Sequence, residues 1–158
     1  MQFDSADVAA MIADNSLGQV ILHEMAHVIG VGTLWTHNGL YVNGTGRYTG
    51  VAALAAYQNE FNPLATFVPI ELGGGPGTHN AHWNEADGGG VNTNIVSTLT
   101  GLDLRHELLT GWLDAPTFIS SVTRASFVDL GYTVAIPEPA SFTLCAFAFA
   151  VLLRRRST

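Results

Sequence analysis

His23-Glu24-Met25-Ala26-His27 places two imidazoles four residues apart with a carboxylate between them. Residues four apart on a helix share a face, so His23 and His27 can grip one metal ion together. Glu24 falls about 100° round the helix from His23, beside such an ion rather than on it, where it can take a proton from a water that the metal activates. This HExxH layout is that of a zinc peptidase. The plainer reading of the same residues is a core helix whose two histidines hydrogen-bond to nearby backbone.

The elements that must position these groups are legible in outline. Asp4 or Ser5 caps a short helix through about Asp14, with Val8, Met11 and Ile12 as its apolar stripe. A second helix follows at once, since Ser16-Leu17-Gly18-Gln19 reads as a capping box. Leu17, Val20, Ile21, Leu22, Met25, Ala26, Val28 and Ile29 make this helix apolar nearly all round, which predicts that it is buried. Gly30 or Gly32 stops it in the left-handed conformation. Residues 36–50 form a Gly/Asn/Thr loop, and 51–60 is rich enough in Ala and Leu for a helix before Pro63. Residues 67–72 are a strand candidate that Pro69 assigns to an edge. The stretch from Gly73 to Gly77 delivers His79 and His82 on a loop. A last helix runs from residue 120 or 121 through 130 with Gly131 as its stop, and 132–136 is a closing strand candidate.

Composition narrows the chemistry. A chain of 158 residues with 47% apolar content builds one domain with its own core. Residues 1–136 hold three Arg and twelve acids, a net charge of −9, so no phosphate-binding surface is expected and nucleic acid is excluded as a partner. The one cysteine, Cys145, lies in an apolar tail. The folded part therefore has neither a disulfide framework nor a cysteine-based zinc site, and a metal must be held by His and carboxylate. Seventeen glycines, clustered at 30–50, 73–77 and 88–90, mark loop-rich connections.

Two histidines do not complete a catalytic zinc site, which takes three protein ligands and leaves a fourth position open. In the extended pattern HExxHxxGxxH a third His follows the Gly by three residues. Here Gly30 is in place but the position is occupied by Thr33, so the third ligand comes from farther away. His82 and His79 compete for it, both close to flexible glycines. His37 and His106 read as exposed loop histidines, and Glu85 as either a solvated loop acid or a partner behind the ligands. Trp83 and Trp112 read as core or rim aromatics.

The chain resembles the leishmanolysin family of metzincin peptidases, which keeps the HExxHxxG half and draws its third histidine from a distant His-Trp segment. The residues that carry the resemblance are His23 to Gly30 and His82-Trp83, with 54 residues between His27 and His82. Gly32-Thr33-Leu34-Trp35, Val68-Pro69-Ile70-Glu71 with Gly73-Gly74, Glu107-Leu108-Leu109-Thr110-Gly111 and Asp129-Leu130-Gly131-Tyr132 match in the family's order, from about residue 3 to 134. The resemblance implies His23, His27 and His82 as zinc (Zn2+) ligands, Glu24 as general base, and hydrolysis of protein or peptide substrates. The family's methionine turn reads Glu-Leu-Met-Thr-Gly, and Leu109 stands where the methionine would be. Leu replaces buried Met at usually less than about 1.5 kcal/mol.

Ile136-Pro137-Glu138-Pro139-Ala140-Ser141 opens a different segment, with 142–153 apolar apart from Thr143 and Arg154-Arg155-Arg156 at its end. It resembles a PEP-CTERM sorting signal. That implies a Gram-negative bacterium, recognition by an exosortase-type enzyme, transient membrane contact through the tail, and delivery to the cell envelope or extracellular surface. Twelve helical residues span roughly 18 Å against a hydrocarbon core of about 30 Å, short for a permanent anchor.

The expected organisation is thus a zinc peptidase domain over residues 1–136 and a sorting tail over 137–158. Its fold class is α+β, a metzincin-like catalytic domain that is mainly helical and loop-rich and lacks the N-terminal sheet. With no signal peptide at the front and only about twenty residues before His23, the chain reads as the C-terminal part of a longer precursor or as a protein whose start codon is assigned too late. The competing functions are a surface module that binds zinc or peptides without catalysis, and an envelope structural protein with a fortuitous HExxH.

Overall fold

The computed structural model describes residues 4–85 and 91–134, so the tail from 137 onward, with its apolar run and Cys145, lies outside the described residues. These form a small α+β fold of four α-helices and one two-stranded sheet. In chain order the elements are α1 (Ser5–Ala13), α2 (Leu17–Val28), β1 (Arg47–Tyr48), α3 (Val51–Glu60), β2 (Val68–Pro69) and α4 (Ser121–Asp129), with a 3-10 turn at Leu104–His106 before α4.

Local chemistry accounts for most of the boundaries. The Asp4 carboxylate accepts from the Ala6 amide at 2.7 Å and starts α1. Ser120 does the same for α4, its hydroxyl oxygen accepting from Thr123 N–H at 3.1 Å. The capping box expected at Ser16 is not formed. Ser16 has helical backbone angles and its hydroxyl caps nothing, while its own N–H is taken by Met11 O and the Asp14 carboxylate. The chain turns from α1 into α2 through Asn15 at φ 62°, leaving no extended residue from which a serine could reach forward.

Helices α3 and α4 pack as a reciprocally capped pair. Asp129, at the end of α4, accepts from the Ala52 and Ala53 amides in the first turn of α3, at 2.8 and 2.9 Å, and from the Tyr48 hydroxyl at 3.1 Å. Glu60, at the end of α3, accepts from the Ser121 amide at 2.7 Å, from the Ser121 hydroxyl and from the Ser97 hydroxyl at 2.6 Å. Each helix thus satisfies the orphan N–H groups of the other with a carboxylate, where the helix dipole favours negative charge. Burial and the Asp129 charge push the Tyr48 hydroxyl's pKa upward, keeping it a neutral donor.

The sheet is antiparallel, with Arg47 opposite Pro69 and Tyr48 opposite Val68. Its continuation Ile70 bridges Trp83, and Trp83 also bridges Thr110, so three chain segments meet at one residue. Trp83, Trp35 and Tyr48 are buried together, with ring centroids 4.7 to 5.4 Å apart. Aromatic pairs at this spacing add to the stabilisation from burial alone. This cluster is the centre of the core, to which Val31, Tyr41, Ala53, Tyr57, Val68, Ile70, Leu108, Leu109 and Val122 also belong.

Two expectations fail here. Helix α2 is not buried all round: Ala26 is its only buried residue, while Leu22, Met25, Val28 and Ile29 are exposed. An apolar sequence commits a helix to cover on every side only if the fold supplies that cover, and among the described residues it does so on one side. Residues 132–134 form no strand, because Tyr132 closes the end of α4, its amide bonding to Phe127 O and its hydroxyl to Ile29 O; 135 and 136 lie outside the described residues.

Candidate metal centre

His23 and His27 project from one side of α2, and the loop after β2 brings His82 to meet them. Their three Nε2 atoms form a triangle with every side 3.0 Å. Each ring is held from behind by a backbone carbonyl. His23 Nδ1 bonds to Leu108 O at 2.6 Å, His27 Nδ1 to Val31 O at 2.9 Å, and His82 Nδ1 to Thr78 O at 2.9 Å. A carbonyl only accepts, so in each ring the proton sits on Nδ1 and the Nε2 lone pair faces inward. Three lone pairs converging at this distance repel one another unless a cation lies between them. The three imidazoles lie close enough together to hold one metal ion.

Burial favours the neutral, ligating form. His82 is pushed down to about 4, chiefly by burial and against the pull of its Thr78 hydrogen bond. His23 is likewise lowered by burial, opposed by its bond to Leu108 O.

Several local features bring the rings together. Gly30 and Gly32 adopt φ of 120° and 73°, turning the chain so that Val31 O points back at His27. A Cβ on Gly32 would lie 2.3 Å from Ala81 O, so the absence of a side chain lets the loop before His82 touch the end of α2. Thr33 caps the helix instead of ligating: its hydroxyl donates to His27 O at 2.8 Å. The peptide around His82 is fixed by Glu71 N–H to His82 O and by Trp83 N–H to Leu109 O, at 2.9 and 3.0 Å. Buried Trp83 then locks the segment into the core.

Of the expected site residues, His23, His27 and His82 converge, and Glu24 lines a cavity of about 180 Å³ beside them, walled by Val20, His23, Thr110, Gly111 and Leu113. A larger groove of about 410 Å³ between α3 and α4 holds none of the imidazoles. His79 is exposed and turned to Leu72 O at 2.7 Å, outside the cluster. His37 is exposed as expected, but His106 is not: it is buried, its Nδ1 bonded to Asp114 O at 3.0 Å, because the 3-10 turn folds it under the loop that follows. Glu85 is buried too, only 4% exposed, and burial, opposed by Thr110 and Gly111 and aided by the Glu71 and Asp114 charges, pushes it up to about 8. Trp112 is an exposed rim residue. The three carbonyls behind the imidazoles carry no signature in the residue types, since any residue supplies one. No family model, no curated protein and no solved structure matches this chain.

Proposed function

We propose that this protein is a zinc-dependent endopeptidase of leishmanolysin type with a metzincin-like fold, exported and sorted to the cell envelope through its C-terminal segment. The observation that carries this reading is the triangle of three Nε2 lone pairs with Glu24 at its side. All three donors are imidazole nitrogens, with no thiolate and no carboxylate among them. Such a set suits zinc over the harder calcium and magnesium. Separations of 3.0 Å are compatible with nitrogens that share one ion through bonds of about 2.0–2.1 Å.

When bound, zinc on three neutral ligands keeps its double positive charge, polarises a substrate carbonyl and lowers the pKa of water from 15.7 toward about 7. The chain's own residues do the rest. His23, His27 and His82 hold the centre with their Nδ1 protons anchored on carbonyls, so no ring turns during turnover. Glu24 takes the proton from the attacking water on its carboxylate and hands it to the departing amine. The cavity walled by Val20, Thr110, Gly111 and Leu113 receives a side chain flanking the scissile bond. The reaction is hydrolysis of a peptide bond without a covalent intermediate.

A second reading, a surface module that holds zinc or a peptide without cutting it, is favoured by the shortness of the sheet. Two residues per strand offer little edge along which to align an extended substrate. Metal analysis of the purified full chain, with cleavage of an unfolded protein before and after chelation, separates the two. One zinc per chain and chelator-sensitive cleavage are expected. Bound zinc without cleavage supports the second reading, and no bound zinc overturns the first.

A further inference from the structure

We propose that Glu107 is the positioning residue of the three-imidazole centre, its buried carboxylate gathering the turn that orients His23 and the segment that carries His82 and so setting the affinity for the metal. This rests on the zinc reading above and names a residue that touches neither the metal ligands nor the substrate cavity.

Glu107 is 1% exposed, and its carboxylate draws in four donors. One oxygen accepts from Leu109 N–H at 2.5 Å; the other accepts from Ser120 N–H at 3.0 Å, the Ser120 hydroxyl at 2.9 Å and the Thr123 hydroxyl at 2.6 Å. The first bond is the informative one. Leu109 N–H and Leu108 C=O belong to one planar peptide unit, so a carboxylate that fixes the N–H also fixes where the C=O points. That C=O is the acceptor for His23 Nδ1. A continuous path therefore runs from the imidazole through one peptide to a carboxylate, the carboxylate–histidine arrangement of metal sites with a peptide inserted. Each hydrogen bond polarises the next, which raises the basicity of the ligating nitrogen.

The second arm reaches His82. The Thr123 hydroxyl that donates to Glu107 accepts from the Trp83 indole N–H at 2.8 Å, and Trp83 directly follows His82. Trp83 N–H in turn bonds to Leu109 O. One carboxylate thus sets the relative placement of two ligand-bearing segments that are distant in sequence.

Glu60 supplies the control. It is also a buried carboxylate, at the end of α3 and capping the start of α4, and it binds Ser97 and Ser121 but neither segment that carries the histidines. Zinc affinity of the folded full chain is measured by competition with a chromophoric chelator, with urea unfolding of each variant in parallel. Glu107→Gln should lose 10–100-fold in zinc affinity. Glu60→Gln should lose stability with zinc affinity as in the wild type. Equal losses of affinity in the two variants, or none in Glu107→Gln, overturn the proposal. Thr123→Val cuts only the arm to Trp83 and decides the question if Glu107→Gln does not fold. A weakened affinity that Thr123→Ser restores supports the proposal, and wild-type affinity in Thr123→Val overturns it. A wild-type chain that takes up no zinc overturns the metal reading itself, an outcome distinct from a wild type that binds zinc and variants that bind it equally well.

Discussion

His82 is held by Thr78, its Nδ1 lying 2.9 Å from the Thr78 carbonyl, and this bond aims its free nitrogen at His23 and His27. His79, three residues earlier, spends its Nδ1 on Leu72 O at the surface. His82→Ala is therefore expected to abolish stoichiometric zinc, while His79→Ala leaves it intact. Metal analysis of both variants checks this, and a zinc-free His79→Ala would reverse the assignment.

Glu24 is expected to matter for turnover and not for metal. Glu24→Gln keeps the shape of the side chain but cannot take a proton, so zinc content should stay at the wild-type level while kcat falls by about 10²–10⁴-fold. An unchanged kcat in the zinc-loaded variant would remove Glu24 from the mechanism.

Glu85 gives a pH signature. Burial raises its carboxyl from the ordinary 4.5 to about 8, so the folded state binds this proton more tightly than the unfolded state does. Its contribution to stability is complete below about pH 4.5 and is lost as pH rises towards 8. Glu85→Gln has no proton to lose. The stability of the variant minus that of the wild type should then climb from pH 5 to 8.5 by something on the order of a few kcal/mol. Urea unfolding at a series of pH values measures it, and a flat difference would show that the carboxyl titrates normally.

Asp129 carries structure rather than chemistry. Asp129→Ala leaves the Ala52 and Ala53 amides and the Tyr48 hydroxyl without their acceptor. A loss of about 2–3 kcal/mol in unfolding free energy is expected, with zinc affinity unchanged. A drop in affinity at constant stability would place Asp129 in the metal site instead.

What the sequence disclosed was local. Helices α1 and α4 begin at residues whose side chains act within a few positions, Asp4 and Ser120, and these boundaries are legible without tertiary information. The pairing of His23 with His27 follows from helical spacing alone. What it hid was long-range. Strand β1 sits in a Gly/Asn/Thr stretch and exists because Val68 and Pro69 pair with it. His82 and His79 both follow a run of glycines, and what separates them is the bonding of Glu71 and Leu109 to the His82-Trp83 backbone. The exposure of Met25 and Val28 depends on what packs on α2, which periodicity cannot reveal.

The mutual carboxylate caps of α3 and α4 tie the opening of one helix to the opening of the other. Fraying at Ala52 would uncover the carboxylate of Asp129 at the far end of α4, and fraying at Ser121 would uncover Glu60 at the far end of α3. Amide hydrogens in the first turns of both helices should consequently exchange with solvent deuterium in a single cooperative event, with one shared opening free energy. Because Thr123 belongs to that unit and accepts from the Trp83 indole, the cooperative pair of helices borders the segment that carries His82.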